Sequence, residues 1–266
     1  MSSIGSRDGS AARHGELWGA RAGDWAEVEA QQLPTYEEAI RRVGIGSGQA
    51  VLDVGCASGT FLGAAAACGA EVHGIDGSEA LVQLARRRVP GAHVRLGDMQ
   101  FLPYEDERFD VVTGFNSFFF AADMVAALRE AGRVAKPGAP VVIQVWGPPE
   151  RCSLSAMRST LGRFLPPPRP DAPPPPAYWR PGVLEQFAGD AGLTPDTAFD
   201  TRWAYEFEDE EAMARALLSA GGAVPAIRSA GEHAVRAALV DALAPYRTAE
   251  GGYRLENEWH YLVARA

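Results

Sequence analysis

Four polar side chains lie at or just after short apolar runs of this sequence: Asp53, Asp76, Asp98 and Asn116. Carboxylate oxygens accept hydrogen bonds from hydroxyl and amino groups, and an amide side chain both donates and accepts them. If the apolar runs are parallel strands, their carboxyl ends lie at one edge of a sheet, where open α/β sheets bind their ligands. We therefore expect these four side chains to contribute to one binding site.

A glycine-containing loop follows Asp53 in the segment 51–61, which reads VLDVGCASGTF. The pattern predicts a short strand, a tight loop and the start of a helix. Gly55 and Gly59 let the backbone turn sharply and approach a ligand closely. Such a junction presents unpaired N–H groups and the positive end of a helix to a carboxylate or phosphate. The adjacent Asp53 indicates that the ligand also carries a cation, which suits an amino acid better than a pyrophosphate.

The glycine spacing excludes two common nucleotide-binding motifs. A dinucleotide fingerprint requires G-x-G-x-x-G, and a P-loop requires G-x-x-x-x-G-K-[ST]. Here Gly55 and Gly59 are separated by Cys56, Ala57 and Ser58, and no lysine follows. This spacing argues against an NAD-dependent oxidoreductase. Alanine is small enough to keep the loop conformation at position 57, provided that its φ is negative.

The segment resembles the first motif of the class I S-adenosylmethionine (SAM)-dependent methyltransferases, roughly L-D-x-G-x-G-x-G, with Ala57 in place of the middle glycine. Later segments resemble further motifs of that class in the same order: GIDGS at 74–78, GDM at 97–99, RFDVV at 108–112 and LREAGRVAKPG at 128–138. The resemblance covers roughly residues 45–148. Within the class, the chain looks most similar to the small-molecule branch of the ubiquinone/menaquinone-biosynthesis type (methyltransferase type 11).

The resemblance implies that SAM is the cofactor, and it assigns roles along that molecule. The family acid at the position of Asp76 binds the ribose hydroxyls, and the aspartate at the position of Asp98 meets the adenine amino group. The backbone N–H of Met99 meets a ring nitrogen, and Asn116 lies near the methionine moiety. The predicted cofactor-binding residues are Asp53, Gly55, Cys56, Ala57, Gly59, Asp76, Gly77, Ser78, Asp98, Met99 and Asn116.

The acceptor site is predicted from aromatic residues that the motifs leave unexplained. Aromatic rings can stack on a planar acceptor or face the cationic sulfur of the cofactor, while core packing is the alternative for each of them. The predicted acceptor-binding residues are Trp18, Trp25, Tyr36, Phe119, Trp146, Trp203 and Trp259. His14 and His260 are the imidazoles to test as a general base. Because surface or packing positions explain both histidines better, we assign no catalytic residue and no metal ligand.

The elements that position these residues alternate between strand-like and helix-like patterns, which predicts a parallel sheet covered by helices on both faces. The predicted strands are 50–54, 70–75, 92–96, 109–114, 139–146, 195–207 and 252–264, and the predicted helices are 22–32, 35–43, 58–68, 78–88, 121–135, 151–165, 182–191, 209–220 and 226–244. The expected fold is a Rossmann-like, doubly wound α/β sheet. It has seven mostly parallel strands with an antiparallel last strand, N-terminal helices and a helical insertion before that strand.

We expect one methyltransferase domain over residues 1–266. It comprises an N-terminal helical cap at 1–44, a SAM-binding core at 45–148 and a C-terminal completion of the sheet at 149–266, with lid helices at about 209–244. The cap and the lid are expected to cover the transferred methyl group. Between residues 166 and 176, eight of eleven residues are proline. This run predicts an extended linker or strap in preference to a ligand for proline-recognition modules.

The composition limits the partners. A formal net charge of −9 disfavours nucleic acid as the main partner. The three cysteines contain no C-x-x-C pair and indicate neither a disulfide framework nor a zinc site. No run approaches the length of a membrane span and the N-terminal residues lack a signal-peptide core, so we expect a cytoplasmic protein with no membrane partner. The sequence is compatible with a homodimer.

The leading hypothesis is a SAM-dependent methyltransferase that acts on O, N or C of a small, apolar or aromatic molecule in bacterial secondary metabolism. Two alternatives stay open. One is a SAM-binding protein of the same fold that catalyses a non-methylating reaction such as cyclisation. The other is an NAD-dependent oxidoreductase, which the glycine spacing disfavours.

Overall fold

A seven-stranded sheet runs through the computed structural model, which describes residues 10–167 and 174–266. The strands are β1 (Ala50–Val54), β2 (Glu71–Asp76), β3 (His93–Leu96), β4 (Val111–Phe115), β5 (Pro140–Trp146), β6 (Thr194–Phe207) and β7 (Tyr253–Arg265). The helices are α1 (Ser10–Gly19), α2 (Ala22–Ala30), α3 (Leu33–Val43), α4 (Thr60–Ala67), α5 (Glu79–Arg88), α6 (Met124–Val134), α7 (Leu154–Gly162), α8 (Val183–Asp190), α9 (Glu210–Leu218), α10 (Ala223–Ala230) and α11 (Glu232–Leu243).

The sheet has the order β3-β2-β1-β4-β5-β7-β6, and β1 to β5 are parallel. Strand β7 runs antiparallel to both of its neighbours, β5 and β6. Every residue of β1 and β4 is buried, as expected for central parallel strands with helices on both faces. The predicted fold class, including the antiparallel last strand, is confirmed.

Helices cover the sheet with one apolar cluster on each face. Leu128 of α6 and Leu184 of α8 belong to the cluster on one face, and Phe61 of α4 and Leu239 of α11 belong to that on the other. The chain leaves β3 at one end of the sheet and returns to β4 beside β1, so the strand order reverses between β1 and β4. This reversal opens a crevice at the carboxyl ends of the strands, where open α/β sheets bind ligands.

Three helical predictions need correction. The segment 10–19 forms α1, which the sequence reading missed, and the helix predicted at 58–68 begins at Thr60 because Gly59 is its N-cap. The helix predicted at 226–244 is two helices, α10 and α11, separated at Gly231. Apolar residues recur at helical spacing on both sides of that glycine, so periodicity alone did not reveal the break.

Two further features bear on earlier expectations. Part of the proline-rich run, residues 168–173, lies outside the described residues, so its prediction as a strap stays a prediction. Among the helices of the described ranges, none is both long enough and apolar enough to cross a bilayer.

Candidate cofactor and acceptor site

The glycine loop after β1 has no free backbone donor between residues 55 and 60. The N–H groups of Gly55 and Cys56 both donate to the Ile75 carbonyl, at 2.8 and 3.1 Å. The Ala57 N–H donates to Asp76 Oδ2 at 3.0 Å, and the Gly59 N–H donates to the Cys56 carbonyl at 2.9 Å. The expectation that this loop presents unpaired N–H groups to a ligand is therefore wrong.

The two remaining donors are taken by Glu29 of α2. Its carboxylate oxygens accept from the Ser58 N–H at 2.8 Å and from the Thr60 N–H at 3.1 Å. Glu29 is 3% exposed, so a buried acid from the N-terminal helices caps the first turn of α4. This contact fixes α2 against the loop. The sequence carried no signal for it, because the acid lies about thirty residues from its partners.

The backbone of the loop differs from expectation at Ala57. Its φ is 44°, in the left-handed region that glycine occupies without strain, so the condition of a negative φ is not met. Gly55 has a φ of 81°, and a Cβ built there would lie 2.4 Å from Ser117 Cβ. The loop after β1 and the end of β4 thus approach each other closely enough to require glycine at position 55.

Four carboxylates line the β1–β3 side of a cavity at the carboxyl edge of the sheet: Glu29, Asp53, Asp76 and Asp98. Thr113 Oγ1 donates to Asp53 Oδ1 at 2.7 Å, and Asp76 Oδ1 accepts from the Ser78 N–H at 2.8 Å. Asp98 Oδ1 accepts from the Gln100 N–H at 2.9 Å, which makes this acid a turn cap as well as a cavity residue.

Burial makes these acids costly to ionise. It raises the pKa of Asp53 to about 8 and that of Asp76 to about 6, and repulsion from the Glu29 carboxylate adds to both. Burial also raises the pKa of Glu29, against the hydrogen bonds from Ser58 and Thr60. A nearby cation favours the ionised form of a carboxyl group. This side of the cavity is therefore suited to a positively charged ligand.

Asn116 lies at the end of β4 with one side-chain atom unpaired. Its Nδ2 donates to Gln144 Oε1 at 3.0 Å, Gln144 Nε2 donates to Tyr261 Oη at 2.5 Å, and Tyr261 Oη donates to the Thr35 carbonyl at 3.1 Å. This network spans β4, β5 and β7 and fixes the orientation of the amide. Asn116 Oδ1 is buried and has no partner among the described residues, and Asn116 lines the cavity, so this oxygen is an acceptor available to a ligand.

The cavity has a volume of about 390 Å³ and continues from the carboxylates into a chamber with aromatic walls. The predicted residues that line it are Asp53, Gly55, Cys56, Ala57, Asp76, Gly77, Asp98, Met99, Asn116, Trp18, Trp25, Tyr36, Phe119 and Trp146. The rings of Trp18 and Trp25 lie 4.5 Å apart edge to face. The N-terminal helices supply both tryptophans, and Leu217 of α9 also lines the cavity. The cap and part of the lid region thus lie at this edge of the sheet.

Other predicted site residues lie elsewhere. Gly59 and Ser78 do not line the cavity: Gly59 is the N-cap of α4, where a built Cβ would lie 3.1 Å from Ala85 Cβ, and Ser78 Oγ caps α5. Trp203 is 47% exposed on the edge strand β6, and Trp259 is fully buried in the core of β7. The prediction that both tryptophans bind the acceptor needs correction, because the two strands place their rings on the outer surface and inside the apolar cluster.

The two histidines named as candidate bases lie in different places, and one of them lines the cavity. His14 of α1 lines the cavity with its ring 5.1 Å from that of Phe120, and burial lowers its pKa. His260 Nδ1 lies 2.7 Å from Asp200 Oδ1 and does not line the cavity. Asp110 accepts from the Ala50 N–H and pairs with Lys136 at the amino edge of the sheet, where both contacts are structural.

Sequence reasoning missed several residues of the cavity. They are Glu29, Gln32, Arg158 and Tyr205. Gln32 Oε1 and Tyr205 Oη are buried and have no partner in the described part of the chain, so the chamber offers two polar atoms within its apolar wall. A lone polar residue in a helix or strand has no local pattern that distinguishes a site residue from any other, and only the folded chain brings these four together.

The residues present fit SAM. That molecule carries a cationic sulfur, an ammonium group, ribose hydroxyls and an adenine amino group. The buried carboxylates, with Asp76 after β2 and Asp98 after β3, and the unpaired Asn116 Oδ1 provide acceptors for such groups. Each Asp76 oxygen accepts one backbone N–H and retains capacity for a hydroxyl donor.

Comparison with known proteins supports this interpretation. The model of a methyltransferase domain family matches residues 52–143. An uncharacterized protein of Mycobacterium tuberculosis is 29% identical over 96% of this chain and 94% of its own length. Demethylmenaquinone methyltransferase of Halalkalibacterium halodurans is 33% identical over 40% of this chain and 46% of its own length.

Solved structures share the fold. A putative methyltransferase from Bacillus halodurans superposes with a TM-score of 0.57 at 16% identity, covering 86% of this chain and 97% of that one. The [4+2]-cyclase SpnF superposes with a TM-score of 0.57 at 20% identity, covering 88% of this chain and 80% of that one.

The sheet order and the acids after successive strands are those expected of a class I SAM-dependent methyltransferase, and the matched family model identifies a methyltransferase domain within the chain. The matched segment runs from β1 into β5 and contains the methyltransferase domain itself.

Proposed function

We propose that this enzyme transfers the methyl group of SAM to O, N or C of a small, largely apolar or aromatic molecule. The observation that carries the proposal is the continuity of one cavity. It joins the carboxylates beside β1 to β3 with a chamber walled by Trp18, Trp25 and Trp146. Because helices of the cap and the lid region contribute to those walls, the chamber suits a small acceptor and not a nucleic acid or a protein surface.

The residues of the chain would bind the cofactor in an extended orientation across the strand ends. Asp98 would accept from the adenine amino group, Asp76 from the ribose hydroxyls and Asn116 Oδ1 from the ammonium group. When bound, SAM supplies a methyl group that its cationic sulfur already activates. The protein then contributes mainly by aligning the acceptor and excluding water, and such positioning accounts for a large part of the rate in reactions of this kind.

A general base is not required for every acceptor. A phenol or enol that binds in its ionised form needs none, whereas a poorly acidic hydroxyl does. Among the described residues, His14 is the histidine that lines the cavity, and burial keeps its pKa below the ordinary value so that the imidazole is neutral near pH 7. It is the base we propose for acceptors that need one.

The biological setting is part of the proposal. An alanine-, arginine-, glycine- and proline-rich composition supports a bacterial source with a role in secondary metabolism. The three cysteines are free thiols, which is consistent with action in the reducing cytoplasm.

Calorimetric titration tests the cofactor assignment. We expect SAM and S-adenosylhomocysteine to bind and NAD not to bind. Asp76→Asn should weaken S-adenosylhomocysteine binding by about tenfold or more, the loss typical of a hydrogen bond to a charged group. Asp110→Asn is the matched control, because this aspartate also accepts a backbone N–H but lies at the opposite edge of the sheet. Equal affinities of the two variants would contradict the proposed site.

Methyl release from SAM with a panel of phenols, quinols and amines tests the reaction. Formation of a methylated product together with S-adenosylhomocysteine is the expected result. Tight binding of SAM without its consumption by any member of the panel would favour the non-methylating alternative.

A further inference from the structure

Helix α7 presents one charged residue on an otherwise apolar face. Leu154, Met157, Arg158 and Leu161 all line the cavity, and their spacing of three and four residues places them on one side of the helix. Arg158 lines the cavity and is also exposed to solvent, so its charge reaches an otherwise apolar chamber without being buried. Among the described residues that line the cavity, Arg158 is the only lysine or arginine.

Arg158 has no anionic partner within the described part of the protein. No carboxylate oxygen there lies within 4.0 Å of its guanidinium nitrogens. Its contacts are with two neutral groups: the Trp146 ring, whose centre lies 5.4 Å from the guanidinium carbon, and the Cys152 thiol, with which it forms a hydrogen bond. By contrast, the nearby Arg151 pairs with the buried Glu258 at 2.9 Å. The charge of Arg158 is therefore available to a ligand.

Arg158 lies apart from the carboxylates of the cavity, where the cofactor is proposed to bind. Helix α7 follows β5, and Trp146 is the last residue of β5. Strand β5 lies two strands away from β1, which corresponds to about 10 Å at the usual strand spacing. The four cavity carboxylates belong to β1, to the ends of β2 and β3 and to α2, on the other side of Asn116.

We propose that Arg158 binds a carboxylate of the methyl acceptor, so that the substrates of this enzyme are hydrophobic carboxylic acids. A single guanidinium neutralises one negative charge, and its planar N–H groups match the two oxygens of a carboxylate. A dianionic phosphate would leave one charge uncompensated in a cavity that already contains four acids. The Trp146 ring, held beside the guanidinium, would pack against the apolar part of the same molecule. This inference rests on the proposed function, because it assumes that SAM binds beside the carboxylates of the cavity.

The test uses matched pairs of neutral and anionic probes: salicylate with salicylamide, and naphthoate with naphthamide. Their affinities are measured by calorimetry for the wild-type protein, with and without saturating S-adenosylhomocysteine. Arg158→Gln removes the charge and keeps a polar side chain of similar length. Arg163→Gln is the control, because Arg163 lies at the exposed end of the same helix and donates to Thr160 Oγ1.

We expect the wild type and Arg163→Gln to bind at least one carboxylate about tenfold more tightly than its amide, as for a charge-assisted hydrogen bond. Arg158→Gln should lose this preference while its affinity for S-adenosylhomocysteine stays unchanged, which also shows that the variant is folded. The proposal is overturned if no carboxylate is preferred, or if the preference survives in Arg158→Gln. It is also overturned if Arg158→Gln weakens S-adenosylhomocysteine binding, since Arg158 would then serve the cofactor.

The same measurements separate this proposal from the proposed function. Absence of S-adenosylhomocysteine binding by the wild type counts against the cofactor assignment. The comparison of carboxylates with amides in the ligand-free protein still decides the role of Arg158.

Discussion

Replacing Ala57 by glycine should stabilise the protein, although most glycine substitutions destabilise. Ala57 has a φ of 44°, and a left-handed conformation costs an L-residue about 1–2 kcal/mol. Glycine removes that cost, but it adds about 0.4–1 kcal/mol of conformational freedom to the unfolded chain. The difference is a net stabilisation of about 0.8 kcal/mol. The Ala57 N–H that donates to Asp76 is kept in the variant.

A second alanine provides the control. Ala237 is exposed within α11, where glycine should cost about 0.8–1 kcal/mol in helix propensity without any relief of strain. The two variants should therefore differ by about 1.7 kcal/mol in the free energy of unfolding, or about 3–7 °C in melting temperature for a chain of this size. Urea denaturation and differential scanning calorimetry measure these quantities. If Ala57→Gly destabilises the protein as much as Ala237→Gly, the assignment of strain at Ala57 is refuted.

Two further predictions concern the cap and the acids. A Cβ on Gly15 of α1 would lie 1.9 Å from the Gly77 carbonyl oxygen, so Gly15→Ala should displace α1 from the turn beside Asp76 and weaken S-adenosylhomocysteine binding by about tenfold. Gly23→Ala, whose Cβ meets nothing within 4 Å, should bind as the wild type does, and equal affinities of the two variants would show that α1 does not support the site. Because burial raises the pKa of Asp53 from 3.8 to about 8, the folded state holds this proton more tightly than the unfolded state. The contribution of Asp53 to stability is thus fully present below pH 4 and is lost as the pH rises to about 8. The melting temperature of Asp53→Asn relative to the wild type should accordingly rise over that range, whereas parallel pH profiles of the two proteins would contradict the raised pKa.

The sequence was most informative where the signal is local. Sequence patterns predicted each of the seven strands to within about two residues. For the central strands β1, β4 and β5 the signal was an apolar run, since a buried parallel strand must be apolar on both faces. The acids Asp76 and Asp98 and the amide Asn116 were predicted at strand ends, and all three line the cavity. Their position follows from the parallel topology, which the alternation of strands and helices already indicated.

The sequence was less informative about which aromatic residue lies where. Trp146 and Trp203 both lie in strand-like segments, yet Trp146 lines the cavity and Trp203 is exposed. The difference arises because β5 is inside the sheet and β6 is at its edge, so that the same alternation of side chains meets different surroundings. The order of strands in the C-terminal half has no local signature in the chain.

By itself, the sequence determined the glycine loop, the successive acids and the sheet that carries them, because each depends on residues close together in the chain. Only the tertiary structure decided that Glu29 takes the loop donors that a ligand was expected to use, at 2.8 and 3.1 Å. The tertiary structure also decided that Arg158 enters the cavity without an acidic partner. Both outcomes depend on how distant helices pack over the sheet, and the partner of a buried polar group is set by that packing and not by its neighbours in sequence.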